Sequence, residues 1–394
     1  MLLKGLLVAA VLAADPSDRV MGAEEVVHLA LAQDLMVKVA EKDVLRAQAS
    51  QVEAGLYPNP TLGWEHESLE HEEQNFFRLS LPVELSTARN TRVRLAKVLV
   101  SQERATLATV RSQRVVYALH LFYRLIYLQE RARVQKDAVV RLEEGVRVVA
   151  RRREEGHASG YDEARLRVEK DLAASDLRQT KAAHEGLALE LRTLLGQADE
   201  RLRFEGSLRS DPELSLMENP KDTVALKHFA RATKEGARAA RSARWAWVPR
   251  LVLGGGPILA TGHADHLGYT LGVQLELPFF ARGQELSAQA QAIQARSQAI
   301  FRARQQQISI AQKRAHIAYR AARVEVEELQ RTAEDRVRTL ERAAQSGYRE
   351  GRLTVVDLLD AQEARTHVEL HRLELALALK KAEIEVRAAR GDYQ

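Results

Sequence analysis

Asp357 and Asp360 lie three residues apart just after the turn Gly347-Tyr-Arg-Glu-Gly351. At that spacing both carboxylates share one helix face. Acidic side chains in a first helical turn offset the macrodipole, a reading that fits Asp162 after Gly156-His-Ala-Ser-Gly160 equally well. A second set of ligand-type residues comprises His66, Glu67, His71, Glu72 and Glu73, with His263, Asp265 and His266 further on. Imidazole and carboxylate can hold zinc or copper, but no fixed ligand spacing is present. Solvated loops are therefore expected, and His66, His71, His263 and His266 are only weak metal candidates. Catalytic signatures are missing: no cysteine nucleophile, no His-Glu-x-x-His, no Gly-x-Ser-x-Gly and no phosphate loop. Neither an enzyme nor a cofactor is expected.

The elements that must carry these residues follow from composition. In 394 residues, charged side chains make up 29% and aromatics only 5%, with nine prolines and no cysteine. Such a chain suits long helices packed through narrow seams better than a large aromatic core. The 59 basic and 54 acidic residues are interspersed, so the net charge of +5 makes no strong field and nucleic acid is not an expected partner. Arg151-Arg152-Arg153, followed by two glutamates, reads as a solvated helix face.

Residues 1–14, with Lys4 before an apolar run and Val11-Leu12-Ala13, have the form of a signal peptide. No later window is apolar enough for a transmembrane helix, although the weaker patterning of a membrane β-barrel remains compatible.

Proline interrupts helices. Its positions leave two proline-free tracts, Val83–Asp211 and Phe279–Gln394, each divided by one glycine cluster. Helices are expected over Ser86–Gly156, with Ser86 as N-cap, then over Gly160–Gly196, Gly283–Glu350 and Thr354–Arg390. These make two long hairpins of coiled-coil type, about 86–196 and 283–390. Landmarks recur in order: Gly156-x-x-Ser-x-x-Asp162 precedes Gly351-x-x-Thr-x-x-Asp357 by 195 positions, and Leu81-Pro82 precedes Leu277-Pro278 by 196. A duplication with repeats at 15–205 and 206–394 is the expected organisation.

Each repeat also carries a strand-like segment. Phe77, Leu79, Leu81 and Val83 alternate with polar residues, as do Tyr269, Leu271, Val273, Leu275 and Leu277. One β-hairpin per repeat is expected, about 58–84 and 249–278. Four strands cannot close a barrel by themselves, since single-chain barrels begin at about 8 strands. Placed in lipid, they require several chains. Tyr57, Trp64, Phe76, Phe77, Trp245, Trp247, Tyr269, Phe279 and Phe280 cluster in or beside these hairpins, like interfacial girdles.

With this order of elements, the Leu-Pro strand exits and the glycine-marked turns, the chain resembles an outer-membrane efflux protein of the TolC family across nearly all of its length. The resemblance implies a mainly α fold with a small β part. It implies a homotrimer in outer-membrane lipid, whose four-stranded contributions join in a twelve-stranded barrel above a periplasmic helical tunnel. It also implies a periplasmic adaptor and an inner-membrane pump as partners. The family's Tyr-x-x-Gly and Asp-x-x-Asp entrance pattern is met by Tyr348, Gly351, Asp357 and Asp360. Threefold symmetry would turn the two aspartates into acidic rings that favour cations. Gly156, Ser159, Gly160, Gly351 and Thr354 would mark the hairpin tips that dock the adaptor. One departure stands out: Leu353, beside Arg352, occupies the position of the family's basic partner in the entrance. Leu56-Tyr-Pro-Asn-Pro-Thr-Leu-Gly-Trp-Glu-His-Glu67 resembles the heavy-metal resistance branch. The implied function is a passive conduit from periplasm to exterior, for metal cations or small toxic compounds. The alternative is a structural coiled-coil adaptor or scaffold of the cell envelope.

Overall fold

A computed structural model of the chain describes residues 19–69, 72–198, 202–210, 223–261 and 266–393. The leader expected at 1–14, His71 and His263 lie outside the described residues. The fold is mostly helical with a small sheet part. Two compact units form, one from Met1–Lys38, Val110–Pro220 and Ile308–Gln394, the other from Val39–Thr109 and Lys221–Gln307. Among the described residues, no helix is long and apolar enough to cross a membrane.

The helices are α1 (Ala23–Gln33), α2 (Leu35–Ala54), α3 (Ala88–Glu154), α4 (Gly160–Leu194), α5 (Val224–Ala243), α6 (Gln284–Thr332), α7 (Glu334–Arg349) and α8 (Val355–Arg390). With 67 residues, α3 is about 100 Å long at about 1.5 Å per residue. Its cap differs from expectation. Thr87 precedes the helix, and its hydroxyl donates to the Ser242 carbonyl at 2.5 Å, while the Ser86 hydroxyl accepts from the Ala88 N–H at 3.2 Å. The helix expected over 283–350 is also divided. Ala333 separates α6 from α7, yet i to i−4 bonds from the Ala333 and Val337 N–H groups, both 3.0 Å, carry the ladder across. Neither proline nor glycine stands there, and nothing in the local sequence explains the interruption.

In the first unit, α3 and α4 pack antiparallel. Phe122, Leu125 and Ile126 of α3 meet Ala188 and Leu191 of α4, together with Val26 and Ala30 of α1. Far along the same pair, Leu142 and Val149 meet Leu166. Two short strands, β1 (Arg19–Met21) and β4 (Leu202–Phe204), pair in parallel at the near end. Three-residue strands carry no readable periodicity, which is why alternation alone did not reveal them. Buried Asp34 fixes the α1–α2 corner: it accepts from the Met36 N–H at 2.8 Å and from Arg114 Nε at 2.6 Å.

The second unit holds a four-stranded antiparallel sheet in the order β2 (Thr61–Leu69), β3 (Glu72–Val83), β5 (Arg250–Thr261), β6 (His266–Glu276). Paired residues project to the same face. The register therefore places Leu62, Trp64, Phe77, Leu79, Leu81, Leu253, Leu259, Leu267, Tyr269, Leu271 and Val273 on one face. These side chains are largely exposed, Leu271 at 81%. Opposite them lie Glu65, Glu67, Gln74, Arg78, Ser80, Thr270 and Gln274. Also in the second unit, small residues let α5 and α6 approach: Ala239, Ala243 and Ala290 form a buried cluster, and Gly236 sits where a Cβ would lie 3.3 Å from Gln294 Cα.

Pairing between β3 and β5 lapses at Phe77-Arg78 opposite Gly256-Pro257 and resumes in the same register. Pro257 has no N–H to give, and a Cβ on Gly256 would fall 1.8 Å from the Phe77 carbonyl oxygen. Gly256→Ala is expected to force β3 and β5 apart. Heat-modified electrophoresis and circular dichroism of the purified protein should show lost β structure, with helical signal retained; an unchanged sheet would contradict this register.

Candidate functional site

Both hairpin turns belong to the first unit, and each is built from the same local chemistry. In the turn from α3 to α4, Gly156 takes φ +81°, a left-handed conformation that glycine adopts without a Cβ penalty. Ser159 then caps α4 in a reciprocal box: the Asp162 N–H donates to Ser159 Oγ at 3.1 Å, and the Ser159 N–H donates to Asp162 Oδ2 at 3.1 Å. The turn into α8 repeats this with Gly351 at φ +72°. There the Asp357 N–H donates to Thr354 Oγ1 at 3.3 Å and the Thr354 N–H to Asp357 Oδ2 at 2.8 Å. A capping box satisfies two orphan helix-end donors at once.

Asp357 is therefore committed to its own helix. Hydrogen bonds from the Thr354 hydroxyl and backbone favour the charged carboxylate and hold its pKa below the ordinary value. Asp360, exposed like Asp357, lies outside the capping box and sits near Glu363. Burial raises the Glu363 pKa, and the charges of Glu169 and Asp360 push it the same way, against Arg165. The two aspartates thus share a helix, but only Asp357 takes part in the capping box.

Tyr348 is buried at 5% exposure among Leu142, Val149, Leu166, Val355, Leu358 and Leu359, a core that joins the two hairpin ends. Its hydroxyl is buried without a hydrogen-bond partner in the structure. Arg152 crosses from α3 to reach it. The Arg152 Nη1 donates to the Tyr348 carbonyl at 2.8 Å, and its guanidinium lies 4.8 Å from the Tyr348 ring centroid. A Cβ on Gly351 would be 3.7 Å from Arg152 Nη2. Arg352, by contrast, pairs with neighbouring Glu350, and Leu353 packs toward Gly347.

The solvated-face reading of Arg151–Arg153 holds for the exposed Arg151 and Arg153 but not for Arg152, which reaches Tyr348. Arg153 Nη1 donates to buried Glu163 at 2.7 Å, and Arg167 pairs with the same carboxylate. That hydrogen bond outweighs burial and lowers the Glu163 pKa. A signal for Arg152 was present in the sequence: Leu142, Val149 and Arg152 continue one 3/4-spaced stripe through Gly145, the stripe that faces the core.

The other candidates do not converge. His66 Nδ1 lies 3.0 Å from Asn75 Oδ1, which also accepts from Trp64 Nε1 at 3.2 Å. His66 pairs with Asn75 and His266 with Ala260, so the two imidazoles project from opposite sheet faces. Among the described residues, no three His, Cys, Asp or Glu groups are gathered to hold a metal ion.

Residues 218–392 match the family model "Outer membrane efflux protein". The cobalt-zinc-cadmium resistance protein CzcC of Cupriavidus metallidurans is 25% identical over 267 residues, covering 66% of this chain and 64% of that relative. The match thus spans somewhat under two thirds of the relative's length. Among solved structures, the open-state MtrE outer membrane channel of Neisseria gonorrhoeae superposes with a TM-score of 0.77 at 14% identity, covering 94% of this chain and 88% of that one. The Campylobacter jejuni CmeC outer membrane channel gives 0.74 at 15% identity, covering 94% and 85%. The fold is that of the outer membrane channels. Residues 218–392 thus resemble the outer membrane efflux proteins in sequence, on a chain that has the fold of the outer membrane channels.

The capping geometry gives a pH-dependent expectation. Asp357 has a lowered folded-state pKa, so its stabilising contribution is present above the unfolded carboxylate pKa and is lost as pH falls through the folded value. Thr354→Ala should cost the hairpin about 1 kcal/mol at neutral pH and flatten its stability profile in the acid range. Thermal unfolding across that range checks this, and an unaltered acid limb would argue against the capping role.

Proposed function

We propose that this protein is the outer-membrane duct of a tripartite efflux pump, a passive conduit from periplasm to exterior. The observation that carries the reading is the open, two-faced sheet on a chain that also forms helices as long as α3. One sheet face is apolar and exposed, the other polar, and the strands of 9, 12, 12 and 11 residues suit a tilted span of about 9–11. Three copies would close twelve strands into a barrel with the polar faces lining water. An envelope scaffold would have no use for an unburied apolar sheet face.

In this reading residues 1–14 are a removable leader, and 15–205 and 206–394 are two repeats, each with a β-hairpin and a helical hairpin. The sheet lies in the outer membrane and the helices extend into the periplasm. The tips marked by Gly156, Ser159, Gly160, Gly351 and Thr354 meet a periplasmic adaptor, which links the duct to an energised inner-membrane pump. Arg152 bridging to Tyr348 holds the two hairpin ends together in each protomer and supplies the basic partner that Leu353 does not. The CzcC relative is a cobalt-zinc-cadmium resistance protein, which favours metal cations as cargo. The chain itself supplies passage and selection, with no covalent chemistry.

Because Asp357 is held in its cap, Asp360 is the carboxylate free to act on passing ions. Asp360→Asn should lower cation selectivity of single channels in planar bilayers, removing three charges from one ring, whereas Asp357→Asn should chiefly destabilise the turn. Arg152→Ala should raise the open probability of the same channels. A monomeric detergent extract without conductance would sink the conduit reading.

A further inference from the structure

The α8 face above Asp360 carries an ordered series of ligand-type side chains. Asp360, Glu363, His367, His371 and Glu374 follow at spacings of 3, 4, 4 and 3. At about 100° per residue they fall within roughly 80° of the helix circumference. Arg365, Glu369 and Arg372 occupy the other side, where Arg365 pairs with Glu341 at 2.5 Å and Glu369 at 3.0 Å.

His367 and His371 are the chemically specific members. They stand one helical turn apart, both exposed, with stacked rings whose centroids are 6.4 Å apart and 28° out of parallel. Imidazoles at i and i+4 are the pair a helix uses to grip one metal ion from two sides. Carboxylates flank them. Glu374 Oε2 lies 3.7 Å from His371 Nδ1, and its Oε1 is 3.7 Å from Arg131 and 3.5 Å from the Tyr127 hydroxyl. His367 and Glu363 line a groove of about 390 Å³ with Glu169 and Asp176 of α4. Gln362 lines the same groove and is buried, and its Oε1 has no hydrogen-bond partner in the structure.

We propose that His367 and His371 form a labile two-imidazole binding site for a divalent d-block cation of the zinc or cobalt type, with water completing the coordination. Two imidazoles with open coordination positions hold such an ion without trapping it, unlike a closed four-ligand structural site. Imidazole favours these ions over magnesium, which prefers oxygen. The site does not depend on the protein being a channel. Its use as a stopping point for cargo does rest on the conduit reading.

The test is calorimetric titration of the intact detergent-purified protein with Zn²⁺ alone, with Mg²⁺ in parallel. Wild type should bind Zn²⁺ in clear preference to Mg²⁺, and H367A/H371A should bind it at least about tenfold more weakly. His316→Ala, a histidine elsewhere on a long helix, should leave binding unchanged. Co²⁺ absorption should show imidazole ligation in wild type and lose it in the double variant. Equal Zn²⁺ binding by the double variant, or Mg²⁺ binding as tight as Zn²⁺, would overturn the site. Channel conductance of the same preparations is a separate readout: silent bilayers with intact Zn²⁺ binding would remove the conduit and leave the site standing.

Discussion

A β-sheet must find partners for the backbone groups along its outer strands, and this requirement governs the protein. The four-stranded sheet ends in β2 on one side and β6 on the other. Each has an edge that nothing in its own sheet satisfies, and one broad face is apolar and exposed. In water such edges are liabilities that proteins blunt with charge, proline or bulges. Here the exposed face of β6 runs Leu267, Tyr269, Leu271, Val273 and Leu275 with no such protection. A low-dielectric surround removes the penalty for the face and raises the penalty for the edges, so only closure with further strands meets both demands.

The helical part answers a different constraint. Burial along α3 and α8 is confined to stripes, so each long helix is held by recurring small clusters rather than by one core. Alanine and glycine at the α5–α6 seam and leucine and valine at the hairpin ends serve as local fasteners. Charged residues are drawn into this scheme where a fastener ends. Glu163 and Asp34 are buried yet paired, which avoids the cost of an isolated charge.

Much of this was legible beforehand because the determining signals are periodic or punctuating. Proline-free tracts announced the long helices, alternation announced both hairpins, and the repeated Gly-x-x-Ser/Thr-x-x-Asp pattern announced two turns of one design. What escaped reading depends on distance in space. Arg152 looked like one of three surface arginines until the Leu142–Val149 stripe showed which way it pointed. The His367–His371 spacing was visible in the sequence, but the stacking of the two rings and the groove beside His367 were not. The short β1–β4 pair and the break at Ala333 leave no mark in composition at all. Capping and selectivity were both open for Asp357; its bonds to Thr354 place it in the capping box, and Asp360 lies outside that box.

The interruption at Ala333 has a mechanical side. Both turns are clamped by reciprocal caps and share a core, so the hairpin end is stiffer than the helix leading into it. Below Ala333, α7 is 16 residues long, about 24 Å at about 1.5 Å per residue. A bend of roughly 10° at that joint would sweep the far end through about 4 Å, comparable with the radius of a partly hydrated ion. The helix would then act as a lever about that joint, turning a small angular change far from the turn into a displacement at it.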